Sequence, residues 1–266
     1  MKYRINTPEA LGRLNSMTKY PSILTYHKLG ERQKLTDIIQ VPFDDDDDVI
    51  ITEKIDGTNA RIIYLPDDDF FIGSREELLH AKGDRIWIGT GGIVNAIRDM
   101  SNSIRYNLNN VCVIYGEVFG GKVSSGSKNY TGHKNVGFRI FDILLVPRPQ
   151  ADDMILGNDN WTRQRIASWR DHGGQVFQDS QALLDTAIEI KQELTPRLCA
   201  IKGKDLPKSH QEMLDWLKMV TPKTQACLDN EAKAKSEGVV IRTPDRSKIA
   251  KIRYEDYERT LRAPQK

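Results

Sequence analysis

One short polar segment, residues 53–59, constrains this chain more than any other stretch. It reads EKIDGTN and separates two apolar runs, residues 49–52 and 60–64. Apolar runs on either side of a glycine turn are typical of paired strands, and a glycine lets the backbone approach a ligand closely. The segment predicts that Lys54 holds an amine over a cleft. A hairpin whose lysine only faces solvent is the alternative that these seven residues leave open.

Composition bounds what the rest of the chain can do. The 266 residues are 39% hydrophobic and 29% charged, with a net charge of +2. This is the profile of a globular protein, and we expect one domain over residues 1–266. If such a chain binds nucleic acid, its basic residues must be gathered on one face.

The cysteines and the apolar runs point to a cytoplasmic setting. Cys112, Cys199 and Cys227 lie far apart, which argues against a disulfide framework or a zinc site. The five histidines are scattered too, so we build no metal site from them. No apolar run is long enough to span a bilayer. We expect a soluble, intracellular protein without a membrane partner.

Several further runs predict strands mixed with helices. Strands are expected at residues 70–75, 111–119, 138–146, 239–242 and 249–254. Thr7 and Pro8 are typical of a helix start, within an N-terminal extension of residues 1–49. Glycines from Gly89 to Gly92 break the chain before a packing helix whose apolar positions share one face: Ile93, Ile97, Met100, Ile104 and Leu108.

Residues 150–235 predict a largely helical insertion between two strands. Leu184 and Ile188 give one helix an apolar face, and Leu214 and Leu217 do so in a second helix. The insertion can be core cover or a substrate-facing wall. Before it, the loop-like segment 120–137 carries basic residues: Lys122, Lys128, His133 and Lys134.

Two other charged features need separate explanations. The acidic run 44–48 is read as a solvated loop, with a metal-binding or regulatory role as the alternative. Glu117 lies inside the apolar run 111–119, where burial of a carboxylate is costly unless it binds something. Near the C-terminus, Lys251 and Arg253 are two apart on a predicted strand and therefore share a face.

The ordered set of these elements resembles the covalent nucleotidyltransferase superfamily of ligases and capping enzymes, and most closely the RNA ligase 2 family of phage-type, nick-sealing enzymes. The nucleophile motif Lys-x-Asp/His-Gly matches residues 54–57, and Asn59 in Gly-Thr-Asn is typical of this branch. The later family elements match Ser74-Arg75, Tyr115-Gly116-Glu117, Phe141-Asp142, Glu237-Gly238 and Lys251-Ile252-Arg253. The resemblance spans roughly residues 50 to 257.

The resemblance implies an α+β, ATP-grasp-like nucleotidyltransferase fold, with mainly antiparallel sheets around an ATP cleft and flanking helices. It implies an ATP-dependent ligase that seals nicks through a lysine-AMP intermediate on Lys54 and joins an RNA 3′-hydroxyl to a 5′-phosphate of RNA or DNA. The expected partner is a nicked duplex, and the expected enzyme is a monomer. The catalytic residues carried over are Lys54, Asp56, Glu237, Lys251 and Arg253.

The resemblance also implies the binding roles. The nucleotide-binding residues carried over are Glu53, Lys54, Ile55, Asn59, Arg75, Glu117, Phe141, Glu237, Lys251 and Arg253. Phe141 would stack on adenine, whereas Phe138, on the opposite strand face, is expected in the core. Mg²⁺, with Mn²⁺ as an alternative, would use Glu237 first and Glu117 and Asp142 behind it, because Mg²⁺ needs only one or two carboxylates besides phosphates.

The chemistry explains why cations belong beside the nucleophile. A lysine amine must be neutral to attack phosphorus, and the pKa of a free lysine is about 10.4. Neighbouring cations such as Lys251 and Arg253 disfavour the charged form and also neutralise charge on phosphate oxygens. Arg242 is read either as a phosphate contact or as a surface arginine.

Two departures from the family pattern qualify the prediction. Arg253 stands where a second lysine is usual, and Lys248 offers another register. Only nine residues follow Tyr257, so we expect the usual C-terminal domain to be missing. The N-terminal extension and the insertion would then close over the substrate, or binding would be weak or need a partner. A minimal DNA ligase, a capping guanylyltransferase and an inactive nucleic-acid-binding module are the alternative functions.

Overall fold

The computed structural model describes residues 5–66, 69–82, 91–104, 109–157 and 160–262. Within these ranges the helices are α1 (Pro8–Met17), α2 (Gly91–Ser103), α3 (Arg148–Leu156), α4 (Arg163–Trp169), α5 (Ser180–Glu189), α6 (His210–Val220) and α7 (Tyr254–Leu261). The strands are β1 (His27–Leu29), β2 (Leu35–Ile39), β3 (Asp48–Lys54), β4 (Thr58–Tyr64), β5 (Phe70–Ser74), β6 (Leu78–Ala81), β7 (Asn110–Gly120), β8 (Val136–Pro147), β9 (Arg197–Lys202), β10 (Gly238–Arg242) and β11 (Ile249–Arg253). None of the described helices has the length and apolar character needed to span a membrane.

Antiparallel sheets dominate the architecture. Five strands form one sheet in the order β6-β5-β4-β7-β8, and four form another in the order β11-β10-β3-β9. Strands β1 and β2 pair separately as a small hairpin. All strand pairs in the two larger sheets are antiparallel. The α+β fold class predicted from the sequence is confirmed.

The segment predicted as a turn between paired strands does something different. Strand β3 pairs with β9 and β10, whereas β4 pairs with β5 and β7. Residues 55–57 therefore carry the chain from the four-stranded sheet to the five-stranded sheet. The hairpin interpretation was wrong because the partners of β3 lie more than 140 positions later in the sequence. The consequence is that Lys54 lies where the two sheets meet.

Each face of the five-stranded sheet is covered by helices. On one face, Leu14 and Met17 of α1 and Met154 of α3 pack with Ile63 and Val113. On the other face, α2 packs on the alternate residues of the same strands, and Ile97 is fully buried there, as predicted. Leu108 and Gly89, which belonged to that prediction, lie outside the described residues. Phe138 packs on this second face, as expected.

The four-stranded sheet has its own helical cover. Met213 and Leu217 of α6 and Tyr257 of α7 are buried against Ile51 and Ile241. Full burial of one such aliphatic side chain contributes about 1.5–3 kcal/mol. The two sheets thus have separate cores, and the space between them remains available for a cleft.

Residues 150–235 are less helical than predicted. They contain β9, which extends the four-stranded sheet beside β3, and a long connection after α6. In α5 the buried residues are Leu183, Thr186 and Ala187, while the side chains of Leu184 and Ile188 are 41% and 66% exposed. These two residues are therefore not core cover; they border the cleft between the two sheets, which fits the alternative of a substrate-facing wall. The helix packs through the adjacent face because it lies at the rim of the cleft.

The N-terminal extension is ordered by long-range contacts. The Thr7 hydroxyl accepts a hydrogen bond from the Ala10 amide at the predicted start of α1. The Tyr26 amide donates to the Lys251 carbonyl, which attaches the extension to the edge strand β11. In the acidic run, Asp44 and Asp47 lie 2.6 and 2.7 Å from Lys248 Nζ. These ion pairs support the structural interpretation of that run.

Candidate active site

A cavity of about 760 Å³ lies between the two sheets. It is lined by residues of both sheets and by α5 on one side. Many residues predicted from the sequence border it: Glu53, Lys54, Ile55, Asn59, Arg75, Glu117, Phe141, Asp142 and Lys251. Residues from opposite ends of the sequence are thus brought to one place.

Lys54 and Glu237 form the central ion pair of the site. Lys54 ends β3 opposite Gly238, so the preceding residue, Glu237, reaches its amine. The distance from Lys54 Nζ to Glu237 Oε2 is 2.7 Å, and the two side chains are 26% and 20% exposed. Burial raises the pKa of Glu237, although the charge of Lys54 acts to lower it. The Lys54 side chain is thus partly buried and borders the cavity.

Glu117 adds a second carboxylate beside the same amine. Burial raises its pKa to about 7, although the charge of Lys54 acts to lower it. Repulsion from Glu237 and Asp56 raises the pKa further, and a hydrogen bond from the Gly57 amide lowers it. A carboxyl pKa that is raised toward pH 7 is characteristic of functional sites. Three carboxylates therefore act electrostatically on one another around Lys54.

Gly57 is required for this close arrangement. A Cβ atom at this position would lie 2.3 Å from the Val118 carbonyl oxygen and 2.9 Å from Glu117 Cγ. Both distances are shorter than real Cβ contacts, so the turn can approach β7 only with a glycine. This residue explains in steric terms why the motif needs a glycine three positions after its lysine.

Asn59 lies beside Glu117 on the neighbouring strand. Within the described part of the chain, its buried side-chain oxygen has no hydrogen-bond partner. An unpaired buried polar atom costs about 1–3 kcal/mol. Because Asn59 borders the cavity, a ligand that donates a hydrogen bond would remove this cost.

The terminal cations separate into two environments. Lys251 and Arg253 do alternate with buried residues on β11, as predicted. Lys251 lines the cavity, where burial lowers its pKa and repulsion from Arg253, Lys54 and Arg75 lowers it further. Arg253 instead pairs with Asp256 at 2.8 Å and with Glu255 at 2.8 Å, outside the cavity lining. A direct role for Arg253 at a phosphate would need these pairs to open.

Phe141 occupies an irregular position in β8. The register between β7 and β8 shifts at Tyr115/Gly116, which leaves Phe141 as the extra residue of a bulge. Bulges re-aim side chains and are common beside active sites. Here the ring borders the cavity and packs edge-on against Tyr20, with 5.0 Å between the ring centroids.

Asp142 does not fit the prediction that it binds a metal. Its side chain is 1% exposed and accepts charged hydrogen bonds from Arg242 at 2.9 Å and Arg246 at 2.7 Å. The Tyr20 hydroxyl also donates to it. Both carboxylate oxygens are therefore occupied. Arg242 is not a surface residue, because its side chain is only 8% exposed and bound to Asp142. It borders the cavity and its Nε has no hydrogen-bond partner among the described residues, so its contact with a phosphate stays a prediction.

The remaining motif residues support the turn. The Asp56 amide donates to the Tyr130 hydroxyl at 2.6 Å, and Ser124 Oγ donates to the Asp56 carbonyl at 3.0 Å. Ile55 packs with Tyr130 in a small core, so only its backbone can serve a ligand. Glu53 accepts from the Gln225 amide at 2.8 Å, and burial raises its pKa. Glu53 thus anchors a loop.

Arg139 was missed by the sequence reasoning. It pairs across β7 and β8 with Glu117, lines the cavity, and its side chain is 19% exposed. Its guanidinium lies 2.6 Å from Glu193 at the rim. The signal was available, because Arg139 lies two positions before Phe141 on the same strand. Tyr20 and Arg246 gave no comparable signal, since their partners are remote in sequence.

The donor set suits a metal that is held mainly by phosphates. No cluster of three or more acidic, histidine or cysteine ligands exists among the described residues. Glu117 and Glu237 nevertheless offer carboxylate oxygens beside Lys54. Mg²⁺ is commonly bound by one or two carboxylates with substrate phosphates and water. These two residues therefore fit such an ion, and Asp142 does not.

Comparison with known proteins gives the family. Comparison with curated protein sequences found no significant match. The fold is similar to a Naegleria gruberi RNA ligase variant in its apo form (14% identity, TM-score 0.53, covering 81% of this chain and 52% of that one). It is also similar to a variant with ATP and Mn (15% identity, TM-score 0.53, covering 92% of this chain and 62% of that one). A variant of that organism's ligase R4a is similar too (17% identity, TM-score 0.54, covering 90% of this chain and 62% of that one).

This chain thus spans about half the length of the first of these ligases, 52%. At these identities the structural likeness concerns the fold. The model of the RNA ligase family, however, matches residues 47–253, which is most of the chain and includes Lys54, Glu117 and Glu237. This chain belongs to the RNA ligase family.

Proposed function

We propose that this chain is an ATP-dependent polynucleotide ligase that seals nicks in duplexes by way of an AMP group carried on Lys54. The observation that carries the proposal is the position of the Lys54 amine, 2.7 Å from Glu237 in a cavity between two sheets. A solvent-facing lysine would not need such an arrangement. Membership of the RNA ligase family supports the same chemistry.

The first step would transfer AMP to the enzyme. The Lys54 amine attacks the α-phosphorus of ATP, a nitrogen–phosphorus bond forms, the bond from that phosphorus to the bridging oxygen breaks, and pyrophosphate leaves. The amine must first lose a proton, and Glu237 is the carboxylate that lies within hydrogen-bond distance of it. The ion pair must also open so that the nitrogen lone pair can reach phosphorus.

Other residues would bind and orient the nucleotide. Phe141 offers an aromatic face and Val240 an aliphatic surface in the same cavity, which suits a purine ring. Lys251 and Arg75 bring positive charge to the cavity and suit the phosphates. A structural relative with ATP and Mn supports ATP as the nucleotide. A bound Mg²⁺ or Mn²⁺, held by Glu237 and Glu117, would supply charge neutralisation at the phosphates.

Two further transfers would complete ligation. AMP passes from Lys54 to a 5′-phosphate, which creates a 5′–5′ pyrophosphate linkage and frees the lysine. An RNA 3′-hydroxyl then attacks the activated 5′-phosphorus, a phosphodiester forms, and AMP leaves. Three parts of the proposal rest on the sequence resemblance: the ribose requirement on the 3′ side, the monomeric state, and the role of Asp56, which either orients Lys54 or reaches the 3′-end.

Self-adenylylation tests the proposal directly. The wild type is incubated with α-labelled ATP and Mg²⁺ and separated by denaturing electrophoresis beside Lys54→Ala. Lys218→Ala is the matched control, because Lys218 pairs with Asp215 on an exposed helix surface. We expect a labelled band at the protein's size in the wild type and the control and none in Lys54→Ala. If folded, AMP-free wild type takes no label from either ATP or GTP, the proposal is wrong.

A further inference from the structure

A second cleft, with a volume of about 810 Å³, is lined by the segment between β7 and β8 and by Glu231 and Lys233. Four lysines line it: Lys122, Lys128, Lys134 and Lys233. His133 and Glu231 are the other ionisable residues of its lining. All four lysines are exposed. We call this surface the lysine cleft.

The charges of the lysine cleft are not neutralised. Among the described residues, no carboxylate lies within ion-pair distance of any of the four lysine amines, whereas Lys19, Lys202 and Lys248 elsewhere are paired at 2.6–2.8 Å. Glu231 lies 3.4 Å from His133 instead. Because the whole chain carries only +2, this concentration is a local feature. Four like charges repel one another unless an anion joins them.

The backbone of the lysine cleft is held in place by hydrogen bonds. Asp229 accepts from the Thr131 hydroxyl, from the Gly132 amide at 2.9 Å and from the Asn135 side chain at 3.3 Å. The Lys233 amide donates to the Lys128 carbonyl at 2.9 Å, which joins the two segments that carry the lysines. The amines therefore project from an ordered surface.

The same loop contacts the catalytic turn. Tyr130 and Ser124 hydrogen-bond the backbone of Asp56, two residues after Lys54. Gly126 packs so closely that an added Cβ would lie 2.0 Å from the Asp56 carboxylate. A strand bound along the loop would thus pass close to the Lys54 turn, which borders the first cavity.

We propose that the lysine cleft binds the phosphodiester backbone of the polynucleotide substrate and delivers the strand to Lys54. The inference rests on the proposed ligase function, since it names the surface that holds that enzyme's substrate. Lysines act at phosphates as point charges and read no bases, so the contribution is affinity without sequence preference. Each phosphate that is neutralised releases counterions, which makes such binding depend on salt.

The test measures duplex binding by fluorescence anisotropy over a range of KCl concentrations, with a nicked RNA duplex and no ATP. The variant carries Lys122→Ala, Lys128→Ala, Lys134→Ala and Lys233→Ala together. Its matched control carries four alanines at exposed lysines that also lack described ion pairs: Lys28, Lys34, Lys204 and Lys208. Thermal unfolding checks that both quadruple variants are folded. If the cleft variant does not fold, the same binding measurement is made with its four single variants.

We expect the salt slope of the cleft variant to fall by about 1 for each lysine and its affinity in about 0.1 M salt to fall by tenfold or more. The control should keep the wild-type slope. Equal losses of affinity in both variants would mean that diffuse surface charge, and not the lysine cleft, holds the duplex. A cleft variant with unchanged affinity would mean that another surface binds it. Either result would overturn the inference. A wild type that does not bind the duplex in low salt would also overturn the inference.

Self-adenylylation of the wild type, which needs no polynucleotide, separates this inference from the proposed function. Labelled protein whose duplex binding does not depend on the four lysines would overturn the lysine cleft and leave the ligase proposal standing. Unlabelled protein whose duplex binding does depend on them would overturn the ligase proposal and establish a polynucleotide-binding surface.

Discussion

Two neighbouring regions of this molecule bury charge, and they balance it in opposite ways. In the cluster around Asp142, one carboxylate meets Arg242, Arg246 and the Tyr20 hydroxyl, so both of its oxygens are occupied. Around Lys54, one amine stands among three carboxylates, and the pKa of Glu117 is raised to about 7. In the first region both carboxylate oxygens have cationic partners, whereas the second has an excess of carboxylates that a bound cation would relieve.

The two regions show how a structural charge can be told from a functional one. Both Asp142 and Glu117 lie in strands and border the same cavity, and the sequence analysis predicted both as metal ligands. Their partners distinguish them. A buried carboxylate with two guanidinium partners stabilises one arrangement of the chain, whereas several carboxylates around a single amine point to chemistry.

The largest effect that we expect concerns Lys54 itself. In Lys54→Arg the positive charge beside Glu237 is kept, but a guanidinium stays protonated and cannot attack phosphorus. Label transfer from α-labelled ATP should fall below detection, while the urea midpoint should change little. A variant that still becomes labelled would show that Lys54 is not the nucleophile.

The Asp142 cluster should instead control stability. Asp142→Asn leaves two buried guanidinium groups without their anion, and removal of one partner of a buried ion pair costs about 3–5 kcal/mol. Urea unfolding measures this loss. Glu237→Gln is the matched comparison, because that side chain is 20% exposed and has a single cation partner, so we expect a much smaller change. Equal losses in the two variants would remove the distinction between the regions.

The raised pKa of Glu117 predicts a pH-dependent stability. With a folded-state pKa of about 7, against 4.5 ordinarily, the native state keeps a proton that the unfolded state releases. This stabilisation is full below about pH 4.5 and is lost as the pH rises to about 7, a change of about 3 kcal/mol. Glu117→Gln does not titrate there, so its stability should rise relative to wild type over this window.

The control for this measurement is Glu189→Gln, at an exposed position on α5 away from these charges. Its difference from wild type should stay constant with pH. The urea series is run without nucleotide or divalent metal at each pH. A Glu117→Gln difference that is equally flat would mean that burial of Glu117 does not perturb its titration.

A smaller effect is expected from the hydroxyl that completes the Asp142 cluster. Tyr20→Phe removes a donor to Asp142 and an acceptor for Arg246, which costs about 1–2 kcal/mol. Tyr26→Phe serves as the control, because the described residues give that buried tyrosine's hydroxyl no hydrogen-bond partner. Thermal unfolding compares the two. A loss at Tyr20 no larger than at Tyr26 would make the hydroxyl incidental to the cluster.

Local patterns in the sequence determined much of this protein. The start of α1 at Thr7, the buried face of α2 and the alternation of Lys251 and Arg253 with buried residues on β11 all depend on residues a few positions apart. The order of the family motifs identified Lys54, Glu117 and Glu237, which the structure brings together. Each of these motifs is a short run of adjacent residues, so it is visible in the sequence before any tertiary contact is known.

The other features depend on contacts between segments that are remote in the sequence. Tertiary structure joined β3 and β4 to different sheets, placed β9 beside β3, and put Leu184 and Ile188 at the cavity and not in the core. It also gave Asp142 its partners, which lie about 100 or more positions away in the sequence. The physical reason is the same in each case. A hydrogen bond or an ion pair between remote segments depends on how the sheets pack, and the local pattern of apolar and polar residues does not specify which remote partner will be there.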